Sequence, residues 1–196
     1  MYDLEKATRI LADRLPPEKP VTGIAAMTTG FSNDTYLVEG ADLILRLPPA
    51  AGAMLDGHDV VGQARIYQAL GAMPGGPRVP EIILIEENPA VLGAPFFVME
   101  KVAGRVAVSY PPYSQQGWLV DTSVAERRRI WESAVRQLAA IQFVPVERAG
   151  FLELPGGTDG FAQEADRWHR FIDWVDPRGE RKLLRSTYER LLAAGP

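Results

Sequence analysis

The sequence predicts an α+β chain in which a small strand-rich lobe with one helix precedes an all-helical region. From about residue 20 to residue 102, short runs of β-branched, aromatic and aliphatic residues alternate with glycine, proline and asparagine. After Gly104 the apolar residues recur instead at spacings of three and four, the period of an amphipathic helix. The composition, 46% hydrophobic and 23% charged, is that of a chain with a packed core, and 196 residues suffice for one large domain or two small ones.

The elements follow in order. Leu4, Ala7, Leu11 and Leu15 share a helical stripe, with Asp3 as its cap and Pro16-Pro17 as its stop, so a helix is expected over Asp3 to Leu15. Five strands are expected at Ile24 to Thr29, Thr35 to Val38, Leu43 to Leu47, Glu81 to Glu86 and Pro95 to Lys101. Glu39-Gly40-Ala41-Asp42 makes an antiparallel hairpin of the second and third. Between the third and fourth, Val60, Ala64, Tyr67 and Leu70 mark a helix over Asp59 to Leu70, weakened by Gly62. Gly104 to Gly117 reads as an irregular crossing. Ser123 and Glu126 form a capping box before a helix whose stripe is Val124, Trp131, Val135, Leu138 and Gln142. Phe161, Ala165, Trp168, Ile172 and Val175 form a further stripe, and Asp176-Pro177 is expected to start a last helix through Leu184, Tyr188 and Leu191. The expected organisation is therefore residues 1–102 as N-terminal helix and sheet lobe, 103–121 as join, and 122–196 as helical lobe.

Charge and composition exclude several classes. Lys and Arg total 21 against 25 Asp and Glu, a formal charge of −4, so the basic footprint of a nucleic-acid-binding protein is missing. There is no cysteine, hence no disulfide framework, thiolate metal site or cysteine nucleophile, and His58 and His169 alone make a histidine zinc site a poor fit. No leader-like start and no membrane-length apolar run occur, so a soluble cytoplasmic protein without a membrane partner is expected.

Three stretches have a possible chemistry. Thr28-Thr29-Gly30-Phe31-Ser32-Asn33-Asp34-Thr35-Tyr36 joins two strands with glycine, hydroxyl and amide groups. It reads either as an ordinary hairpin turn or as a loop whose successive N–H groups cover phosphate oxygens. Arg46 lies on the strand face opposite Leu43, Leu45 and Leu47, and is either a solvated cation or one that meets anions under that loop. Pro95 to Gly104 runs an apolar strand straight into the join, where it is either simply buried or offers free backbone groups to a flat heterocycle. Elsewhere, Arg127-Arg128-Arg129 reads as a solvated helix face, His169 as the flank of a buried stripe bearing Trp168, and His58 as a helix-terminal contact.

In this order, the wording Gly30-Phe31-Ser32-Asn33-Asp34-Thr35-Tyr36, then Leu45-Arg46-Leu47-Pro48-Pro49, then Val91 to Glu100 resembles the aminoglycoside phosphotransferase family, small-molecule kinases of protein-kinase-like fold. Pro111-Pro112-Tyr113, Gly117-Trp118 and Gln137-Leu138-Ala139-Ala140-Ile141 resemble in particular the kinase-like domains related to acyl-CoA dehydrogenase partner proteins. The resemblance implies ATP and Mg²⁺ as cofactors and a small-molecule hydroxyl as acceptor. It implies Ser32, Asn33 and Asp34 over the phosphates, Arg46 holding them, Gln63 on the helix beside Arg46, and Met99, Glu100 and Val102 at the adenine.

Departures from the family pattern accompany the likeness. The helix position that usually holds Glu is Gln63, and the usual histidine after the join is Gln142. The family's Asp-centred catalytic loop and metal-binding Asp are expected after Pro196, so no catalytic residue is assigned within the chain. Weak or undetectable transfer by these residues alone is the corresponding expectation, with a non-catalytic nucleotide- or partner-binding module as the alternative. Apolar surface left uncovered would favour self-association.

Overall fold

In the computed structural model the residues described are 2–27, 33–50, 52, 59–107, 110–145 and 160–195. The chain divides into two units, Met1–Gly150 and Phe151–Pro196.

In the first unit, helix α1 (Leu4–Arg14) starts where the Asp3 carboxylate accepts from the Lys6 N–H and ends at Leu15, directly before the proline pair. The strands are β1 (Gly23–Met27), β2 (Asp34–Glu39), β3 (Leu43–Leu47), β4 (Ile82–Glu86) and β5 (Phe96–Glu100). They form one antiparallel sheet in the order β1-β2-β3-β5-β4, matching the expected α+β architecture and the expected strand count. The β2–β3 hairpin turns through Gly40 and Asp42, both at positive φ, 82° and 52°. A Cβ at Gly40 would collide with the Pro20 carbonyl, so only glycine fits that turn.

Strand alternation gives the sheet two covered faces. Leu43, Leu45 and Leu47 of β3, Tyr36 and Val38 of β2, and Phe96 and Val98 of β5 pack against Ala7 and Leu11 of α1 and against Leu15, which caps it. On the other face Ile44, Phe97 and Met99 pack against Val60 and Ala64 of helix α2 (Val60–Gly71). An ion pair between Arg14 and Glu86 ties α1 to β4, and Glu86 is held below its ordinary pKa by that hydrogen bond, with help from the Asn88 N–H.

Beyond the sheet, the segment expected to be irregular is followed by a short helix, α3 (Trp118–Asp121), whose Trp118 carbonyl accepts from the Thr122 hydroxyl. Helix α4 (Val124–Gln142) carries the expected capping box, with the Glu126 N–H donating to Ser123 Oγ at 3.3 Å. Its stripe is open: Val124, Trp131, Val135 and Leu138 are all exposed, and no α4 residue is buried. Gln137 accepts from the Arg78 N–H at 2.9 Å, which fastens α4 to the segment before β4.

The second unit is a helical hairpin, α5 (Gly160–Val175) and α6 (Lys182–Ala194). The last helix thus begins at Lys182 and not at Asp176-Pro177. Asp176 is buried and its carboxylate accepts from the Glu180 and Arg181 N–H groups and from Arg185 Nε, which makes residues 176–181 a turn. Arg185 also pairs with Asp173 at 2.9 Å. Trp168, expected within the buried stripe, is half exposed; Ile172 is the buried residue of α5, and Trp168 helps line an apolar cleft of about 420 Å³ between the two helices. Among the described residues, no helix is long and apolar enough to cross a membrane.

Candidate functional site

The face of the sheet covered by α2 holds the one basic side chain of β3. Register places Arg46 opposite Thr35 of β2 and Phe97 of β5, so its side chain leaves the sheet on the α2 side, as strand parity requires. The guanidinium carbon lies 5.9 Å from the centre of the Phe97 ring, whose edge contact with Tyr67 of α2 fixes its plane. Phe97 is fully buried, so the cation rests on an apolar floor. Arg46 Nε is itself buried and has no hydrogen-bond partner among the described residues. A buried donor left unmade costs about 1–3 kcal/mol, an expense usually associated with a functional site.

Helix α2 enters this face through a local device. The Asp59 carboxylate caps it by accepting from the Gly62 N–H at 2.9 Å. A side chain at residue 62 would press on that carboxylate, which accounts for the glycine that weakens the helix signal in the sequence. One residue on, Gln63 Oε1 accepts from Asn33 Nδ2 at 3.1 Å. Asn33 immediately precedes β2, and this bond fixes the start of the strand to the first turn of α2.

The remaining expected site residues separate by face and by exposure. Ser32 lies outside the described residues, as do Gly30, Phe31 and His58. Asp34 has the parity of Tyr36 and Val38: its carboxylate accepts from the Ala50 N–H at 3.0 Å on the α1 side, away from Arg46. There, burial and then the Asp34 charge raise the pKa of Tyr36 and of Tyr2, whose hydroxyl donates to the Pro48 carbonyl. Met99 is buried in the α2-side cluster. The Glu100 N–H donates to the Glu81 carbonyl at 2.8 Å, while Val102, just beyond β5, is exposed and its backbone makes no hydrogen bond among the described residues.

The structure therefore brings together Asn33, Gln63 and Arg46 on one face and leaves Asp34 on the other. Thr35 and Phe97, which share the face with Arg46, were open to sequence reasoning through alternation alone; their pairing with Arg46 needed the register. The arrangement offers a fixed cation with an unused N–H donor above an aromatic floor, which suits an anionic group. Among the described residues, no group of three or more His, Asp or Glu side chains is placed to hold a metal ion. His169 is outside this site: it sits 3.4 Å from Asp173 and packs edge-on against Tyr188. Arg128 pairs with Glu132 on the exposed helix face expected of it, whereas Arg127 is half-buried and donates to the Val120 carbonyl.

Comparison with known proteins fits this geometry. A Ralstonia eutropha protein described as an aminoglycoside phosphotransferase superposes with a TM-score of 0.60 at 21% identity, covering 96% of this chain and 52% of its own. The GDP complex of an aminoglycoside 2'-phosphotransferase variant gives 0.62 at 17% identity, covering 97% and 59%. These neighbours share the kinase-like fold. An Arabidopsis thaliana protein named as an acyl-CoA dehydrogenase, IBR3, is 26% identical over 179 residues, and acyl-CoA dehydrogenase family member 11 of Rattus norvegicus is 24% identical over 173. The chain spans 21% of the length of each of these two, and 86% and 85% of its own. Residues 23–196 match the model of the phosphotransferase enzyme family, and the chain belongs to that family.

Proposed function

We propose that residues 1–102 form the nucleotide-binding lobe of an ATP-dependent kinase acting on a hydroxyl of a small molecule, with 103–121 as the join and 122–196 as part of a helical lobe. The observation that carries this reading is the buried, unpartnered Nε of Arg46 on the α2 face, next in register to Thr35 and Phe97. A nucleotide's phosphate oxygens would give that donor its acceptor, and the strand following the Ser32-Asn33-Asp34 segment would bring backbone groups above them. The free backbone of Val102, beside Met99 and Glu100 at the end of β5, suits the edge of an adenine ring. Family membership and the GDP-bound neighbour support a nucleotide of this kind. Mg²⁺ would accompany it as in other phosphoryl transfers, held by groups other than those described above.

A calorimetric titration tests the reading. ATP is expected to bind, inorganic tripolyphosphate to compete, and Arg46→Met to weaken both. Absence of binding to the unmodified chain would overturn the proposal.

A second reading, a non-catalytic kinase-like module that binds nucleotide or a partner, is favoured by one observation: Gln63, at the helix position where the resemblance leads one to expect Glu, is neutral and accepts from Asn33 Nδ2. Transfer of phosphate from ATP to any small alcohol, measured on the same preparation, separates the two.

A further inference from the structure

The α5–α6 hairpin has an apolar face that is held in shape and left open. At its closed end, Asp176 accepts from Arg185 Nε of α6 as well as from the N–H groups of the turn. Farther along, the Tyr188 hydroxyl of α6 donates to the Ala165 carbonyl of α5 at 2.5 Å, so the two helices are pinned at two points. Between them runs the cleft of about 420 Å³, whose lining includes Phe161, Trp168, Phe171, Ile172, Leu184 and Leu191. Of these six only Ile172 is buried, while Trp168 is 50% exposed and Leu191 58%. A continuous apolar strip of this kind differs from the single exposed side chains that any surface carries, and it marks an interaction site. Glu164 also lines the cleft, and its charge is matched in place by Arg167 at 3.0 Å.

Charge and area select the occupant. Helix α5 contains three acidic residues against two basic ones, and α6 three basic against one acidic. The hairpin therefore has one net negative and one net positive helix. A second copy related by a two-fold axis can set α5 against α6 of the other copy, which brings opposite charges together twice. Helices of 16 and 13 residues, lying side by side, present a face of roughly 500 Å². Two such faces bury on the order of 1,000 Å², the area at which specific interfaces begin. We infer that the open α5–α6 face pairs with the same face of a second copy of this chain, α5 against α6, closing a four-helix bundle around Trp168, Leu184 and Leu191. This inference is independent of the nucleotide-binding reading.

Sedimentation equilibrium of the full chain over a range of concentrations, paired with hydrogen exchange at the same concentrations, tests it. A monomer–dimer equilibrium is expected. With the free chain at about ten times the dissociation constant, exchange of the α5 and α6 amides should slow by about tenfold relative to the dilute chain. Two substitutions at exposed positions, Trp168→Glu and Leu191→Glu, should each give a monomer, whereas Trp131→Glu, on the exposed stripe of α4, should leave the dimer intact. Because the unmodified chain is itself measured, a variant that fails to fold does not decide the outcome. A chain that is monomeric at every concentration overturns the inference, including one whose cleft takes up the apolar dye anilinonaphthalene sulfonate instead of a second copy. So does a dimer in which the concentration-dependent protection falls on α4 and not on α5 and α6, or one that Trp131→Glu dissociates while folded Trp168→Glu does not.

Discussion

Replacing Arg46 by methionine separates a ligand-binding cation from a structural one. The buried Nε has no partner among the described residues, so removing it relieves a desolvation cost of about 1–3 kcal/mol. The contact of the guanidinium with the Phe97 ring at 5.9 Å is lost, which costs about 0.5–1 kcal/mol and is partly restored by a thioether on the same ring. The balance predicts a free protein that is unchanged or up to about 2 kcal/mol more stable, a rise of no more than about 8 °C in melting temperature for a chain of this size. ATP affinity moves the other way. Charge-assisted hydrogen bonds contribute about 1.5–3 kcal/mol, so binding should weaken by roughly 10- to 100-fold. Differential scanning calorimetry and titration calorimetry on one preparation read both signs. A variant destabilised by more than about 1 kcal/mol with unaltered ATP affinity would show that Arg46 serves the fold, and the reasoning from its unpartnered nitrogen would be refuted.

Other perturbations test the surrounding structure. Leu11→Ala, at a fully buried position of α1, should cost about 2–5 kcal/mol in denaturant unfolding yet leave ATP affinity intact, because α1 covers the face opposite Arg46; a loss of affinity in the folded variant would contradict the two-face arrangement. Gly62→Ala should change stability little in the parent, since the helix-propensity gain of about 1 kcal/mol offsets damage to the Asp59 cap, but should stabilise an Asp59→Ala background by about 1 kcal/mol. A double-mutant cycle with no coupling between the two sites would reject that explanation of the glycine. Burial pushes the Asp176 carboxyl up, but its hydrogen bonds from Arg181, Arg185 and Glu180 together hold it below the ordinary 3.8. Its contribution is therefore present above about pH 4 and is lost as pH falls through the lowered value. Unfolding followed by helical circular dichroism should show Asp176→Asn removing part of the acid sensitivity of the 160–195 hairpin, and an identical acid profile would count against it.

Much of the sheet was legible because its strands are short and alternate cleanly. Leu43, Leu45 and Leu47 against Ile44 and Arg46 define the two faces before any partner is known, and the glycine turn at Gly40 sets the hairpin. Helix starts were legible wherever a side chain does the capping, as at Asp3, Asp59 and Ser123. Asp176-Pro177 misled because the same capping chemistry serves a turn: an Asp followed by Pro and two further residues closes on Glu180 and Arg181 before the helix begins. The α4 periodicity was real while its burial did not follow, since a stripe states only that one face is apolar.

For the candidate site, parity put Arg46 on the correct face, whereas the engagement of Gln63 with Asn33 was invisible. Residues 33 and 63 meet only through the packing of α2 on the sheet, and no local pattern encodes a contact across that distance in sequence. Asp34 shows the same limit from the other side. Its neighbours in the sequence suggest a phosphate loop, yet the strand starts at residue 34 and alternation turns its carboxylate away.

The most direct measurement is the ¹⁵N resonance of Arg46 Nε as ATP is added, assigned by its loss in Arg46→Met. The account predicts that the Nε–H signal shifts and its exchange with water slows on ATP addition, and that adenosine alone leaves it unmoved. A resonance that stays in place while ATP binds elsewhere on the chain would contradict the claim that this nitrogen awaits a phosphate.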